Sequence, residues 1–469
     1  MKKNIMFVGV SICLLILLGI GLSYSMWNMR VSQDTNNVIS TTDCFDITLA
    51  NQSNAIKLDN AYPITDTKGK TLTPFTFSIK NVCDTAVAYT ASLENLEGTT
   101  LASDYLKVMV NNDEPLLLNS LSTTDVVNTT SIESRVLDTG TLFKNNTKEY
   151  SIRLWIDYNT TLDDLNNETK VLKSKIIIKG VPSNEKEPLA NHVTSLSKTD
   201  TVNLASDDAD NNIRYIGADP SNYVYFNCSD YNNPTTDTCE LWRIIGVFNN
   251  VTKRDGTKEN LVKIIRDESI GNIAWDDNNV NDWSTATLQQ NLNSGTYYTT
   301  TLKNDTTRNA IEEVVWNLGG TGRYTSASNC LASHFYGYER GTTVYSGRPT
   351  TWTGKIGLMY PSDYGYATSG GTAKDRAACL AKELYNWNSS EFSDCKGNDY
   401  LLDTNNVQWT LAPRSSDASY VFRVYDVGRV YYGNSNRTYA VRPVLFLKSN
   451  IQVDKGTGEK SNPYTLKIQ

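Results

Sequence analysis

The feature that most constrains this chain is a two-residue alternation. Across residues 149–158, Tyr150, Ile152, Leu154 and Ile156 fall on one side, while Ser151, Arg153 and Asp157 fall on the other. Trp155 is the exception. Successive strand side chains point to opposite faces, so this spacing predicts a strand with one buried face. Residues 75–80 (Phe75 to Lys80) repeat the pattern, and residues 173–179 supply a further strand. Clusters of Asn, Asp, Thr and Gly separate these runs as turns. An all-β sandwich over residues 40–180 follows.

The texture then changes. Residues 180–188, GVPSNEKEP, are polar and flanked by proline, which predicts a linker over residues 181–191. In residues 192–469, the runs 223–227 and 241–248 read as strands. Ile311, Val314, Val315 and Leu318 carry helical spacing, with Gly319 where a C-terminal cap belongs. Ala377, Leu380, Ala381 and Leu384 repeat that spacing around Cys379. A third helix is expected to start from Ser284 as N-cap, with Leu288 and Leu292 inward. Strands and helices do not alternate regularly, so this half is expected to be α+β. The whole is a multidomain chain.

Lys2 and Lys3 precede an almost unbroken apolar run, residues 5–22. Residues 1–26 therefore read either as a cleaved secretory signal or as an uncleaved membrane anchor, since about 20 apolar residues also span a bilayer. Either way the bulk of the chain is expected outside the cell, anchored or secreted. Of the eight cysteines, Cys13 lies in the apolar run. In an exported protein the other seven read as disulfides. The simplest pairings are Cys44 with Cys83, Cys228 with Cys239 across a hairpin, and Cys379 with Cys395. Cys330 is left over, as a buried thiol or an alternative partner for Cys379.

The net charge of −7 is dispersed, which argues against nucleic acid or an anionic membrane surface as partner. Only His192 and His334 are present and no CxxC occurs, so a Cys/His zinc site is not expected. The acidic loop of Asp207, Asp208, Asp210 and Asn211 lacks the glycine and terminal Glu of a calcium loop and reads as a solvated turn. No GxSxG, HExxH or Walker sequence appears. No catalytic residue, cofactor or metal is therefore expected.

Residues 409–447 carry the densest chemistry. Two short strands flank the turn Asp426-Val427-Gly428-Arg429, an Asn/Ser/Tyr-rich segment follows, and an apolar strand ends the stretch. Phe422 and Val424 favour the inner face of the first strand, which leaves Arg423 and Tyr425 outside. After the turn, Val430 and Tyr432 are expected inward, with Arg429 and Tyr431 outward. The expected ligand-binding face is Arg423, Tyr425, Arg429, Tyr431, Asn434, Asn436, Arg437 and Tyr439. Tyr and Arg give much contact area per ordered side chain, and Asn gives adaptable hydrogen bonds. Arg442 and Pro443 are expected to lock the fold, and Trp242, Trp316 and Trp409 to lie in the core.

Residues 200–469 resemble an uncharacterised domain family of exported proteins from Gram-positive gut bacteria. The matching stretches are RYIGADP from Arg214, LWRIIGVF from Leu241, VWNLGG from Val315, KIGLMYPSDYGYA from Lys355, VRPVL from Val441 and GTGEKSNPY from Gly456. The VRPVL ending also resembles the C-type-lectin-like fold of formylglycine-generating enzymes and of diversity-generating retroelement targets. That resemblance implies an early strand paired with the terminal strand and ligand carried by the loops between. For retroelement targets it also implies a diversified block, for which residues 420–439 have the right place. The reactive cysteine pair of the formylglycine-generating enzymes is not visibly reproduced by Cys330, Cys379 and Cys395. The first half faintly resembles camelysin-like β-sandwich proteins through its early apolar run and the strand FTFSIKN from Phe75. Together these features predict a cell-surface binder of a protein or glycan. A structural subunit of an extracellular matrix or fibre is the alternative.

Overall fold

A computed structural model describes residues 38–40, 42–49, 57–58, 62–127, 131–161, 163–165, 170–322, 330–370, 375–387 and 395–468. The apolar run at residues 5–22 lies outside them. Among the described residues no helix is long and apolar enough to cross a membrane. The chain divides into two compact units, Met1–Glu185 and Lys186–Gln469.

The first unit is a β-sandwich of two five-stranded sheets. In one, Ala86–Leu96 lies between Leu172–Ser183 and Ser131–Leu142. In the other, Thr147–Ile156 lies between Phe75–Asn81 and Leu106–Val110. The period-two residues do what their spacing requires: Tyr150, Ile152, Leu154 and Ile156 enter one core with Phe77, Ile79, Ile176 and Ile178. Trp155 breaks the pattern because a second layer covers it. The short helix Asp66–Gly69 lies over its indole, and a Cβ at Gly69 would come within 2.3 Å of the ring. Cys44 and Cys83 are disulfide-bonded. The expected linker begins too early. Gly180 to Ser183 continue the Leu172–Ser183 strand, paired with Tyr89 to Ala86, so only the residues after Ser183 leave the sheet.

The second unit is strand-rich, with short helices between its sheets. Its larger sheet runs Leu204–Ala205, Ile213–Tyr215, Glu240–Thr252, Lys258–Arg266, Val444–Leu447, Ile356–Gly357, and Tyr223–Phe226 adds to Glu240–Thr252. The VRPVL segment thus supplies an interior strand, with Val262↔Leu447 and Ile356↔Leu445 as Cα partners. A five-stranded sheet runs Asn272–Ala274, Thr438–Ala440, Gln408–Pro413, Tyr420–Val424, Val430–Asn434. Trp242, Trp275, Trp283, Trp316 and Trp409 are buried in the common core. Cys228–Cys239 and Cys379–Cys395 are disulfides, and Cys330 is buried outside the three bonds.

Three helix expectations change. Val314–Asn317 is a strand paired with Thr351–Gly354, and Ile311 bridges Leu447. Val314 and Trp316 are buried and Val315 is only half-buried, so apolar residues occupy both faces of the strand, which a period argument alone cannot separate from a helix. Gly319 serves close packing rather than capping: a Cβ there would lie 2.2 Å from the Tyr338 carbonyl oxygen. Around Cys379 the α-helix is limited to Arg376–Leu380, and Leu384 starts a separate 3₁₀ turn. The third helix is Thr287–Asn293 with Ala286 as N-cap, while Ser284 bonds Asp282 instead; Leu288 and Leu292 are inward as the spacing requires.

Candidate functional site

The site sheet turns at Tyr425 to Arg429. The Gly428 amide donates to the Tyr425 carbonyl (2.8 Å) and the Tyr425 amide to the Arg429 carbonyl (2.9 Å). Gly428 sits at φ +90°, where a side chain would be strained. The register is then Tyr420↔Asn434, Phe422↔Tyr432, Arg423↔Tyr431 and Val424↔Val430. Tyr420–Val424 is an interior strand, flanked by Gln408–Pro413 and Val430–Asn434.

Both faces of that strand are covered, which corrects the expected exposure of Arg423. Phe422 and Val424 are buried, and so are Val421 and Arg423, the latter 9% exposed. Two rings close over Arg423, Tyr425 from just beyond the same strand and Tyr439 from two strands away in the sheet. Its guanidinium carbon lies 4.7 Å from the Tyr425 ring centroid and 4.3 Å from that of Tyr439. Nη2 donates to the Tyr425 hydroxyl, whereas Nε and Nη1 have no hydrogen-bond partner among the described residues. Gly433 makes the room: a Cβ there would come 2.6 Å from Arg423 Cζ.

The other expected residues divide into two groups. Asn434, Arg437 and Tyr439 join Arg423 in lining an open hollow of about 410 Å³, together with Tyr420, Tyr432 and Gly433. Tyr425, Arg429 and Tyr431 cluster nearer the turn, where Arg429 lies 4.6 Å from the Tyr425 ring and 5.3 Å from the Tyr431 ring. Asn436 is exposed on the turn between Val430–Asn434 and Thr438–Ala440 and does not line the hollow. Sequence reasoning missed Tyr420, Tyr432, Gly433 and Arg414. Strand parity places Tyr432 inward, yet it is half-buried and stacks on Tyr420 (4.9 Å) and on Tyr431 (4.5 Å). Arg414 lies 4.2 Å from its ring. Tyr439 meanwhile packs edge-on against Trp409 at 4.9 Å.

A second concentration of charge lies in the interior. Arg214 bonds Asp208 (2.7 Å) and Asp363 (2.9 Å), and Lys263 bonds the other Asp363 oxygen. Asp208 is therefore a buried anchor, not the solvated turn expected of the acidic loop, and Asp207 pairs with Arg376 at 2.7 Å. The fold needs a carboxylate there because Arg214 is fully enclosed. Burial would raise the Asp363 carboxyl, but the Lys263 and Arg214 charges outweigh it and hold it down at about 2. Burial pulls the Lys263 ammonium to about 8, with Asp363 limiting the fall, so the pair is ionised at neutral pH. Burial also pushes Glu339 up to about 7, offset in part by Arg340 and Ser362. Acid and base are matched inside this cluster, which makes it an interior brace. Arg442 has a similar duty: it donates to the carbonyls of Arg266 (2.8 Å) and Leu401 (3.1 Å).

No group of three or more His, Cys, Asp or Glu side chains among the described residues is placed to hold a metal ion. Compared with known proteins, the chain matches no family model, and no curated relative matches it.

Proposed function

We propose that this protein is an exported, surface-displayed ligand-binding protein. A signal or anchor precedes a β-sandwich stalk, and a C-type-lectin-like α+β head holds a protein or glycan ligand on its Tyr/Arg face. The observation that carries the reading is Arg423, a buried cation with unpartnered nitrogens beside an open hollow. Folding leaves such a group only at a cost, and sites that bind are where such costs are retained. The interior position of Val444–Leu447, paired with an earlier strand, supports the lectin-like part of the proposal.

The test needs a ligand from an unbiased glycan and protein screen, followed by affinity and melting on the same variants. The triple variant Tyr425→Ala, Arg429→Ala, Tyr431→Ala and the rim variant Asn434→Ala, Arg437→Ala are expected to lose affinity. Hot-spot side chains of these types typically carry 1 kcal/mol or more, roughly a fivefold loss or greater each. Phe422→Ala is expected instead to destabilise the head by about 3–5 kcal/mol through a cavity. Normal binding by both surface variants removes the proposal.

A structural subunit is the second reading, favoured by one observation. Among the described residues Val430–Asn434 is the last strand of its sheet, and the edge of a sheet is where another chain can add. Concentration-dependent fibres in electron micrographs would support it over the receptor reading.

A further inference from the structure

Four arginines are buried among the described residues of the second unit: Arg214, Arg243, Arg423 and Arg442. Three have acceptors suited to a cation. Arg214 has Asp208 and Asp363. Arg243 bonds Asn222 (2.6 Å) and lies 3.7 Å from Asp267. Arg442 bonds two carbonyls and the Gln408 side chain. Arg423 donates only to a tyrosine hydroxyl, and no ion pair of the described residues includes it. The Tyr425 and Tyr439 rings offset part of that deficit, since a cation is drawn to the negative face of an aromatic ring. They supply no negative charge.

The hollow that Arg423 lines adds an exposed Arg437 and, among the described residues, is lined by no acidic side chain, although the chain carries 51 acidic residues against 44 basic ones. Tyr420, Tyr432 and Tyr439 border it, and Asn434 adds a neutral donor and acceptor. The face of a tyrosine ring is negative and receives the weakly positive C–H groups of a saturated ring. Resting on the binding reading above, we infer that this hollow takes an acidic sugar, a uronate unit of a glycan. The uronate carboxylate bonds the exposed Arg437, with the buried Arg423 charge beneath it, and the pyranose C–H face lies against the tyrosines. The volume of about 410 Å³ falls in the range of small-ligand sites, about 300–1,000 Å³. Charge-assisted guanidinium–carboxylate bonds are roughly twice as strong as neutral ones, which makes the carboxylate the discriminating group.

The full chain is titrated by calorimetry with oligogalacturonate, oligoguluronate and hyaluronan fragments. Each is paired with its carboxyl-reduced, neutral form, and polyglutamate serves as a charge control. The expected result is binding of at least one uronate, with a loss of about tenfold or more on carboxyl reduction. Arg423→Gln is expected to bind the two forms equally. If that variant fails to fold, the comparison of acidic and reduced sugars on the unaltered chain decides alone. Equal binding of both forms overturns the inference, as does polyglutamate bound as tightly as the sugar or no uronate bound at all. The binding reading survives those outcomes if a screened ligand still depends on Arg429 or Arg437, and falls if none does.

Discussion

At the residue scale, burial decides which charges set the pH response. Glu339 accepts from the Ser362 amide at 2.9 Å and from the Ser362 hydroxyl, and its carboxyl is raised from 4.5 to about 7. A raised acid binds its proton more tightly in the folded chain than in the unfolded one. Its contribution is therefore present at low pH and declines as pH rises from about 4.5 to about 7. Asp399, raised by burial to about 6, acts in the same direction. Asp363 acts oppositely, stabilising above the ordinary carboxylate value and losing that effect only as pH falls toward about 2. Stability measured by denaturant titration is expected to fall between about pH 4.5 and about pH 7. In Glu339→Gln the decline should be shallower, by about 3 kcal/mol. An unchanged slope would place the Glu339 carboxyl at an ordinary value.

At the scale of elements, the hairpin closed by Cys228 and Cys239 gives the cleanest test. The bond joins residues 11 apart, and Asn304 reaches the Cys228 carbonyl at 2.8 Å. Cys228→Ser with Cys239→Ser is expected to lower stability by about 2–4 kcal/mol, read as a drop in melting temperature against the unaltered chain. A smaller change would mean that the neighbouring hydrogen bonds already fix this loop. Such elements were legible where one face meets water and the other does not. The period of Tyr150, Ile152 and Leu154 identifies its strand directly. Legibility ends where both sides are covered. Val314 and Trp316 are buried and Val315 is half-buried, so the spacing no longer reports the element type. Arg423 fails for a related reason. Its strand parity can be read from Phe422 and Val424, but its burial depends on Tyr439 and on the missing side chain of Gly433, which no local pattern announces. The interior pairing of Arg214 with Asp363 joins residues 149 apart and is equally invisible locally.

At the scale of the whole molecule, two units meet in the chain between Glu185 and Lys186. Ser183 still belongs to a strand, while the Glu187 carbonyl already accepts from the Val453 amide at 2.9 Å. Limited proteolysis is expected to cut first within residues 184–186, which lie between the last strand of the first unit and the first backbone bond of the second. It should release a stable fragment starting near Lys186, read by N-terminal sequencing and mass. First cuts inside the second unit would show that its loops open more readily than the junction. The strand Val444–Leu447 carries one more consequence. It is wedged between Lys258–Arg266 and Ile356–Gly357, both synthesised long before it. Those strands wait without their shared neighbour until residue 447 leaves the ribosome. Closure of such distant pairs is slow and comes late. The second unit therefore cannot close its larger sheet until Leu447 has been synthesised, which keeps that unit open and threadable while most of it is being made, the condition a polypeptide must keep if it is to pass through a narrow translocation pore.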